Sequence, residues 1–254
     1  MTKTVFVLSD FGCRDTYSGQ MKAALLAELG PACLVDLTPG VPPGDIRAGA
    51  FHLMVSIPHL APGTGVLAVV DPGVGTSRRL ILADSGGVLI AAPDNGLLGW
   101  VRLDSVREIP SGHPESMTFH GRDVIAPALG RALREPGWAA SLPAVDPSTV
   151  VVLPQGGHRL SDDRMETSVA HVDVFGNCIL WLRRGDLGGR IPSEVINTRG
   201  SSFLVRSADT YGPAGPGLLL IEGSSGMMEL ALSGGSAAYL AGLAVEDVVH
   251  LRLS

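Results

Sequence analysis

The amino-acid sequence predicts an α/β protein in two parts: an N-terminal α/β layer on a mainly parallel sheet, then a small β-rich part. Three observations carry this. Apolar runs of strand length alternate with segments of helical period up to about residue 134. A stretch rich in Pro, Ser, Gly and charge, SLPAVDPSTVVVLPQGGHRLSDDRM (141–165), then reads as a connector. Beyond it, short apolar or alternating runs recur between Gly, Ser and Asp with no long helical pattern.

Taken in order, TVFVLS (4–9) is a strand that stops at Asp10. SGQMKAALLAEL (18–29) has helical spacing and ends at Gly30-Pro31, a stop signal. CLVDL (33–37) reads as a second strand, and GDIRAGAFHLMVSI (44–57) as a second helix with Pro58 beyond it. GVLAVV then runs into Asp71, and LILADSGG and VLIAAP follow, the last ending at Asp94. RDVIAPALGRALR (122–134) reads as a helix bent by Pro127. In the second part SVAHVDVFG, SEVINT, SFLVRS, GLLLIEG, MELALS and DVVHLRL read as strands of a small β-sandwich or barrel.

Composition narrows the class. Of 254 residues, 45% are hydrophobic and 17% charged, which supports a packed core and excludes intrinsic disorder. Gly (33) and Pro (18) are frequent without a Gly-X-Y period, so many tight turns are expected and collagen is excluded. The net charge is −6, a poor electrostatic match for nucleic acid. Cys13, Cys33 and Cys178 lie far apart with no CxxC pair, which fits a reducing cytoplasm. The N-terminal apolar run is too short for an export signal. No Asp, Glu, Lys or Arg occurs from Ala48 through Val70, but Pro58, Pro62, Gly63 and Gly65 break any membrane-spanning helix there.

In open α/β sheets ligands bind beyond the carboxyl ends of the strands. Strands end at or next to Asp10, Asp71 and Asp94, and a fourth run ends at Asp173 in the β-rich part. One such aspartate is as readily a turn or helix cap as a ligand group. All four, however, are followed within four residues by a glycine: Gly12, Gly73, Gly96 or Gly176. Glycine lets a ligand approach the backbone. DPGVGTSRR (71–79) resembles a dinucleotide loop only superficially, because Arg78 stands where its third Gly belongs and a strand follows. No GxxxxGK[ST] and no GxSxG occurs. His120, in TFHGRD, precedes a helix and could stand exposed at a loop tip, with Asp123 as a helix cap. The other histidines (His52, His59, His113, His158, His171, His250) lack ligand spacing, so no metal site is expected.

These motifs together resemble the S-adenosyl-L-methionine hydrolase family, the SAM hydroxide adenosyltransferases, relatives of fluorinase and chlorinase. The matching blocks are SDFGCRDTYSGQMK (9–22), PPGDIRAGAF (42–51), VVDPGVGTSRR (69–79), APDNGLL (92–98), TFHGRDVIAP (118–127), VDVFGN (172–177) and SSGMMELAL (224–232). The resemblance implies an N-terminal α/β sandwich catalytic domain over residues 1–155. It implies a C-terminal β-barrel domain over 166–254 that supplies adenine and methionine contacts. It also implies a cytoplasmic homotrimer with active sites at subunit boundaries, and hydrolysis of S-adenosylmethionine to adenosine and L-methionine without metal or organic cofactor.

By the same resemblance, the catalytic set falls on Asp71, Arg78 and His120. Asp10, Asp15, Asn177, Ser224, Ser225 and Glu229 hold adenosine and methionine, and Phe175 and Ala237 line the adenine pocket. The chain departs from the family pattern at Pro39, where many members have His. It departs again at Gly223, where Asn is frequent, and at CILWL after FGN, where a TN pair is usual.

The residue types suit the reaction. A sulfonium leaves as a neutral thioether and needs no general acid, so what must be supplied is an in-line nucleophile at the 5′ carbon. Asp71 can orient a water, His120 can take part in removing its proton, and Arg78 can stabilise hydroxide character. A carboxylate at position 71 repels halide, which weighs against the alternative of a halide-using adenosyl transferase. A second alternative is a non-catalytic S-adenosylmethionine or adenosine sensor, which would have no use for a water-activating set.

Overall fold

The computed structural model describes residues 2–112, 115–212 and 216–253, so His113 lies outside it. The chain divides into two compact units, Met1–Leu153 and Pro154–Ser254.

The first unit is a seven-stranded sheet. Its strands are β1 (Lys3–Ser9), β2 (Ala32–Thr38), β3 (Gly65–Val69), β4 (Leu80–Ser85), β5 (Val88–Pro93), β6 (Ser105–Ile109) and β7 (Ala144–Val145). The spatial order is β2-β1-β3-β5-β4-β6-β7. β2, β1, β3 and β5 run parallel. β4 lies antiparallel between β5 and β6, and β7 pairs antiparallel with β6. The reversal at β4 has a local cause. Ser85 pairs with Val88 across a two-residue loop in which Gly86 and Gly87 have φ of 60° and 84°. Two such glycines make a hairpin turn, and a two-residue link cannot carry a parallel crossover.

The helices are α1 (Tyr17–Leu29), α2 (Ile46–Ser56), α3 (Ala126–Arg134) and the short α4 (Pro136–Ser141). The side chain of Asp45 accepts the Ala48 N–H at 2.9 Å and so caps α2. The uncharged stretch 48–70 resolves into most of α2, a 3₁₀ turn at Ile57–His59 and β3. Among the described residues no helix is long and apolar enough to cross a membrane. Successive residues of β3 point to opposite faces, and both faces are covered. Leu67 and Val69 join Met21, Leu25 and Leu129 of α1 and α3. Val66, Ala68 and Val70 join Ala48 and Leu53 of α2. At Gly130 a Cβ would lie 2.8 Å from the Leu25 carbonyl oxygen, so α1 and α3 meet backbone to backbone.

The second unit contains β8 (His158–Leu160), β9 (Arg164–Val172), β10 (Cys178–Leu180), β11 (Pro192–Ile196), β12 (Ser202–Ser207), β13 (Leu218–Glu222), β14 (Met228–Ala231) and β15 (Val248–Leu253). The order β10-β14-β13-β12-β11-β15-β9 closes on itself through the pairing of β10 with β9. It is therefore a seven-stranded barrel, with β8 appended to β9. Of the two architectures the residue pattern allowed, the barrel is the one formed. Closure leaves no edge in the ring. Inward residues such as Met165, Val169, Val195, Leu220, Leu230 and Leu251 fill the interior. The only α-helix among the described residues of this unit is α5 (Ala237–Ala241).

Candidate active site

In the first unit, the loops after β1 and β3 and the start of the Gly121–Ile125 turn bring five of the expected residues together. Asp10 follows β1, and its Oδ2 accepts the Gly44 N–H at 2.8 Å. After β3, the loop from Asp71 folds back on itself. Val74 N–H donates to the Asp71 carbonyl at 3.2 Å, and the Thr76 hydroxyl to the Gly73 carbonyl at 2.7 Å. Gly75 has φ of 83°, and a Cβ there would lie 2.9 Å from the Met117 carbonyl oxygen. That position admits only glycine without rearrangement. The fold-back returns Arg78 to Asp71. Arg78 Nε donates to Oδ1 at 2.6 Å, and Nη2 donates to Oδ2.

His120 comes from a distant segment. The 121–125 turn is a π-helical turn leading into α3, in place of the helix bent at Pro127 that the sequence suggested. Pro127 has no N–H to give the preceding turn, which favours a widened turn there. His120 is buried and does not stand at an exposed loop tip. Its Nδ1 lies 3.4 and 3.3 Å from Arg78 Nη1 and Nη2. A guanidinium only donates, so Nδ1 accepts and the neutral ring carries its proton on Nε2. Burial, and then the charge of Arg78, push the imidazole pKa below its ordinary value, against Asp71 and Asp123, which raise it.

Asp123 does not cap a helix. Its Oδ2 accepts the Ser116 N–H at 2.8 Å, and its Oδ1 accepts from Arg122 Nε at 2.6 Å, which closes the loop that presents His120. Arg122, first through its hydrogen bond, holds the Asp123 carboxyl below the usual range.

Asp10, Asp15, Asp71 and His120 line one cavity of about 460 Å³, with Phe11, Tyr17 and Phe119 among its walls. Arg78 lines a second cavity of about 430 Å³, and His120 borders both. Asp94, equally a strand-end aspartate, is structural. It is buried, accepts from Arg79 Nε at 2.8 Å and takes the Val151 N–H at 2.8 Å.

In the second unit, Asp173 organises the VDVFGN turn. Its Oδ1 accepts the N–H groups of Phe175 and Asn177 at 2.9 and 2.8 Å, and its Oδ2 accepts from Asn177 Nδ2 at 2.9 Å. Asn177 is buried, while Phe175 is pushed out to 76% exposure. The Ala238 N–H donates to the Gly176 carbonyl at 2.9 Å, which sets α5, with the buried Ala237, against this turn. Ser224 and Ser225 lie on the turn between β13 and β14, and Glu229 lies on β14.

Glu229 is buried and accepts a hydrogen bond from the Tyr211 hydroxyl. Burial raises the Glu229 pKa, the Tyr211 bond opposes that rise, and Asp173 adds to it. The same bond pushes Tyr211 up to about 12. A Cβ at residue 223 would meet the Glu229 carboxylate as it is placed here, so Gly223 leaves that side chain room beside the turn. Asp173 takes the turn-capping role that the sequence left open beside a ligand role, and its D-x-x-G-N spacing is an Asx-turn signal. Sequence reasoning missed Tyr211 as the partner of Glu229. Among the described residues no three His, Cys, Asp or Glu are grouped as metal ligands.

Comparison with known proteins places the whole chain. The SAM hydroxide adenosyltransferase N-terminal domain matches residues 5–138 and the corresponding C-terminal domain matches 167–250. A Salinispora tropica protein named (R)-S-adenosyl-L-methionine hydrolase is 38% identical, covering 97% of this chain and 96% of its own. A Thermus thermophilus protein of the same name is 36% identical, covering 95% and 96%. The crystal structure of an uncharacterized conserved protein from Thermotoga maritima superposes with a TM-score of 0.88 at 26% identity, covering 98% of this chain and 99% of that one. That of a conserved hypothetical protein from Thermus thermophilus gives 0.75 at 34% identity with full coverage, 100% of each chain. The chain belongs to the SAM hydroxide adenosyltransferase family.

Proposed function

We propose that the protein hydrolyses S-adenosyl-L-methionine to adenosine and L-methionine, with Asp71, Arg78 and His120 as its catalytic set. The observation that carries this reading is the convergence of those three side chains in the first unit: Arg78 bonds Asp71 and faces His120, and Asp71 and His120 line one cavity. Family membership and the names of full-length relatives support it.

In the reaction, water attacks the 5′ carbon in line with the carbon–sulfur bond. The C–O bond forms, the C–S pair departs on sulfur as a neutral thioether, and one water proton is released. Nδ1 of His120 faces Arg78, so the neutral imidazole presents Nε2–H and donates to the attacking oxygen. The water proton then passes to the Asp71 carboxylate, whose geometry Arg78 fixes from both oxygens. Asp10 and Asp15 hold ribose and methionine groups. Phe175 stacks on adenine, Asn177 reads its edge, and Ala237, Ser224, Ser225 and Glu229 complete the substrate contacts. No metal or organic cofactor enters this scheme. The Asp71 carboxylate disfavours halide at the nucleophile position.

The finer reading is a cytoplasmic homotrimer with active sites at subunit boundaries, and light scattering at micromolar protein tests its stoichiometry. Incubation with S-adenosylmethionine in chloride buffer, followed by chromatography, tests the activity. Adenosine with equimolar methionine is expected. Halo-adenosine, or unchanged substrate, overturns the reading.

A further inference from the structure

The cavity bordered by Asp71 and His120 has a wall that water activation does not use. Phe11, Tyr17 and Phe119 all line it. Their ring centroids are 5.9 Å (Phe11–Tyr17), 5.6 Å (Phe11–Phe119) and 5.6 Å (Tyr17–Phe119) apart. Phe119 stands nearly perpendicular to the other two, at 90° and 85°. Tyr17 is 49% exposed although it opens α1 beside this cavity. A partly exposed aromatic group at a polar-rimmed cavity marks a surface that a ligand covers.

One cation already lies against the cluster. The Arg122 guanidinium carbon is 4.9 Å from the Phe119 centroid, with its charge paired to Asp123. Phe119 therefore has a face engaged, and Phe11 and Tyr17 are the rings left to a ligand.

A ring attracts a cation within about 6 Å through its quadrupole, whereas a neutral sulfur of the same shape gains only the weaker sulfur–aromatic contact. Carboxylates at the cavity attract any cation, including hydrated metal ions. Rings select a poorly hydrated onium group at contact distance. We infer that Phe11 and Tyr17 are specificity determinants that hold a sulfonium ligand in preference to its neutral thioether. This rests on the proposed hydrolysis of S-adenosylmethionine, and the rejected ligand is S-adenosylhomocysteine. The sulfonium charge is reduced in the transition state and gone in the thioether product, so the rings favour the ground state. Removing them raises KM without lowering kcat.

The test uses two non-reacting ligands and calorimetry. One is S-adenosylhomocysteine. The other is its analogue with an ammonium-bearing carbon in place of the methylsulfonium. The full-length chain is compared with Phe11→Leu, Tyr17→Leu, Tyr17→Phe and a chain carrying trifluorinated phenylalanine at position 11, which keeps ring shape and removes the quadrupole.

The expected result is a roughly 2- to 30-fold loss of preference for the cationic ligand in the Leu and fluorinated variants. Tyr17→Phe keeps the preference, and the affinity for S-adenosylhomocysteine barely moves. Equal weakening of both ligands, or an unchanged ratio in the fluorinated chain, overturns the inference. Wild-type adenosine release is measured alongside: its absence refutes the proposed hydrolysis itself, while its presence with an unchanged ratio refutes only the role of the rings.

Discussion

Removing one charge of the Asp71–Arg78 pair, and then both, separates what the pair does for stability from what it does for chemistry. The Asp71 and Arg78 side chains are 5% and 8% exposed, so the surrounding medium is not bulk water. With an effective dielectric constant near 20 and charge centres about 4 Å apart, their attraction is roughly 4 kcal/mol. Asp71→Asn is nearly isosteric and leaves the Arg78 charge buried beside a neutral amide, which lowers unfolding free energy by about 3–5 kcal/mol. Adding Arg78→Met removes the stranded charge, and the double variant regains most of that loss. Activity does not follow stability: adenosine release falls about 100-fold or more in Asp71→Asn and in the double variant alike. Urea unfolding curves and chromatographic adenosine assays on the same preparations make the comparison. Wild-type turnover in the double variant, or an Asp71→Asn chain as stable as wild type, would refute the reasoning.

Three further outcomes follow from the packing and electrostatics. His120 titrates below its ordinary value of 6.5 because burial and Arg78 disfavour the imidazolium. Turnover therefore holds as pH drops through that ordinary value and declines only at the lower folded-state pKa. His120→Asn removes the contribution of His120 to the acid limb of a kcat/KM profile. The depressed pKa also means that stability contributed by the neutral ring is present above the unfolded-state pKa and is lost as pH falls through the folded one. Asp94→Asn lowers Tm because it loosens Arg79 and the Val151 backbone, yet leaves kcat and KM of the folded fraction unchanged. Gly130→Ala, which improves helix propensity by about 1 kcal/mol, still costs about 1–3 kcal/mol net in denaturant titrations, since its methyl meets the α1 backbone.

Much of the architecture was legible because the strands are punctuated so clearly. β1 stops at Asp10, and Gly30-Pro31 and Pro58 follow the first two helices. The antiparallel entry of β4 was missed although its cause, Gly86-Gly87, stands in the sequence. Strand-like composition does not encode direction, and only the two-residue link does.

Asp71 and Asp94 look alike in sequence, each closing an apolar strand before a glycine. Both pair with an arginine, and what separates them is the remaining surroundings: a backbone N–H also occupies Asp94, whereas Asp71 lines a cavity. Arg78 lies seven residues beyond Asp71 on one loop, but the approach of His120 to Arg78 exists only in three dimensions. The grouping of Phe11, Tyr17 and Phe119 was invisible for the same reason, since aromatic residues in separate segments give no periodic signal.

The origin of the oxygen in the product tests the central claim most directly. S-adenosylmethionine is incubated with the enzyme in water enriched in the heavy oxygen isotope, and both products are weighed by mass spectrometry. Water attack at the adenosyl carbon predicts one heavy oxygen in the 5′ hydroxyl of adenosine and none in methionine. Adenosine without the label, or label in methionine, would contradict it.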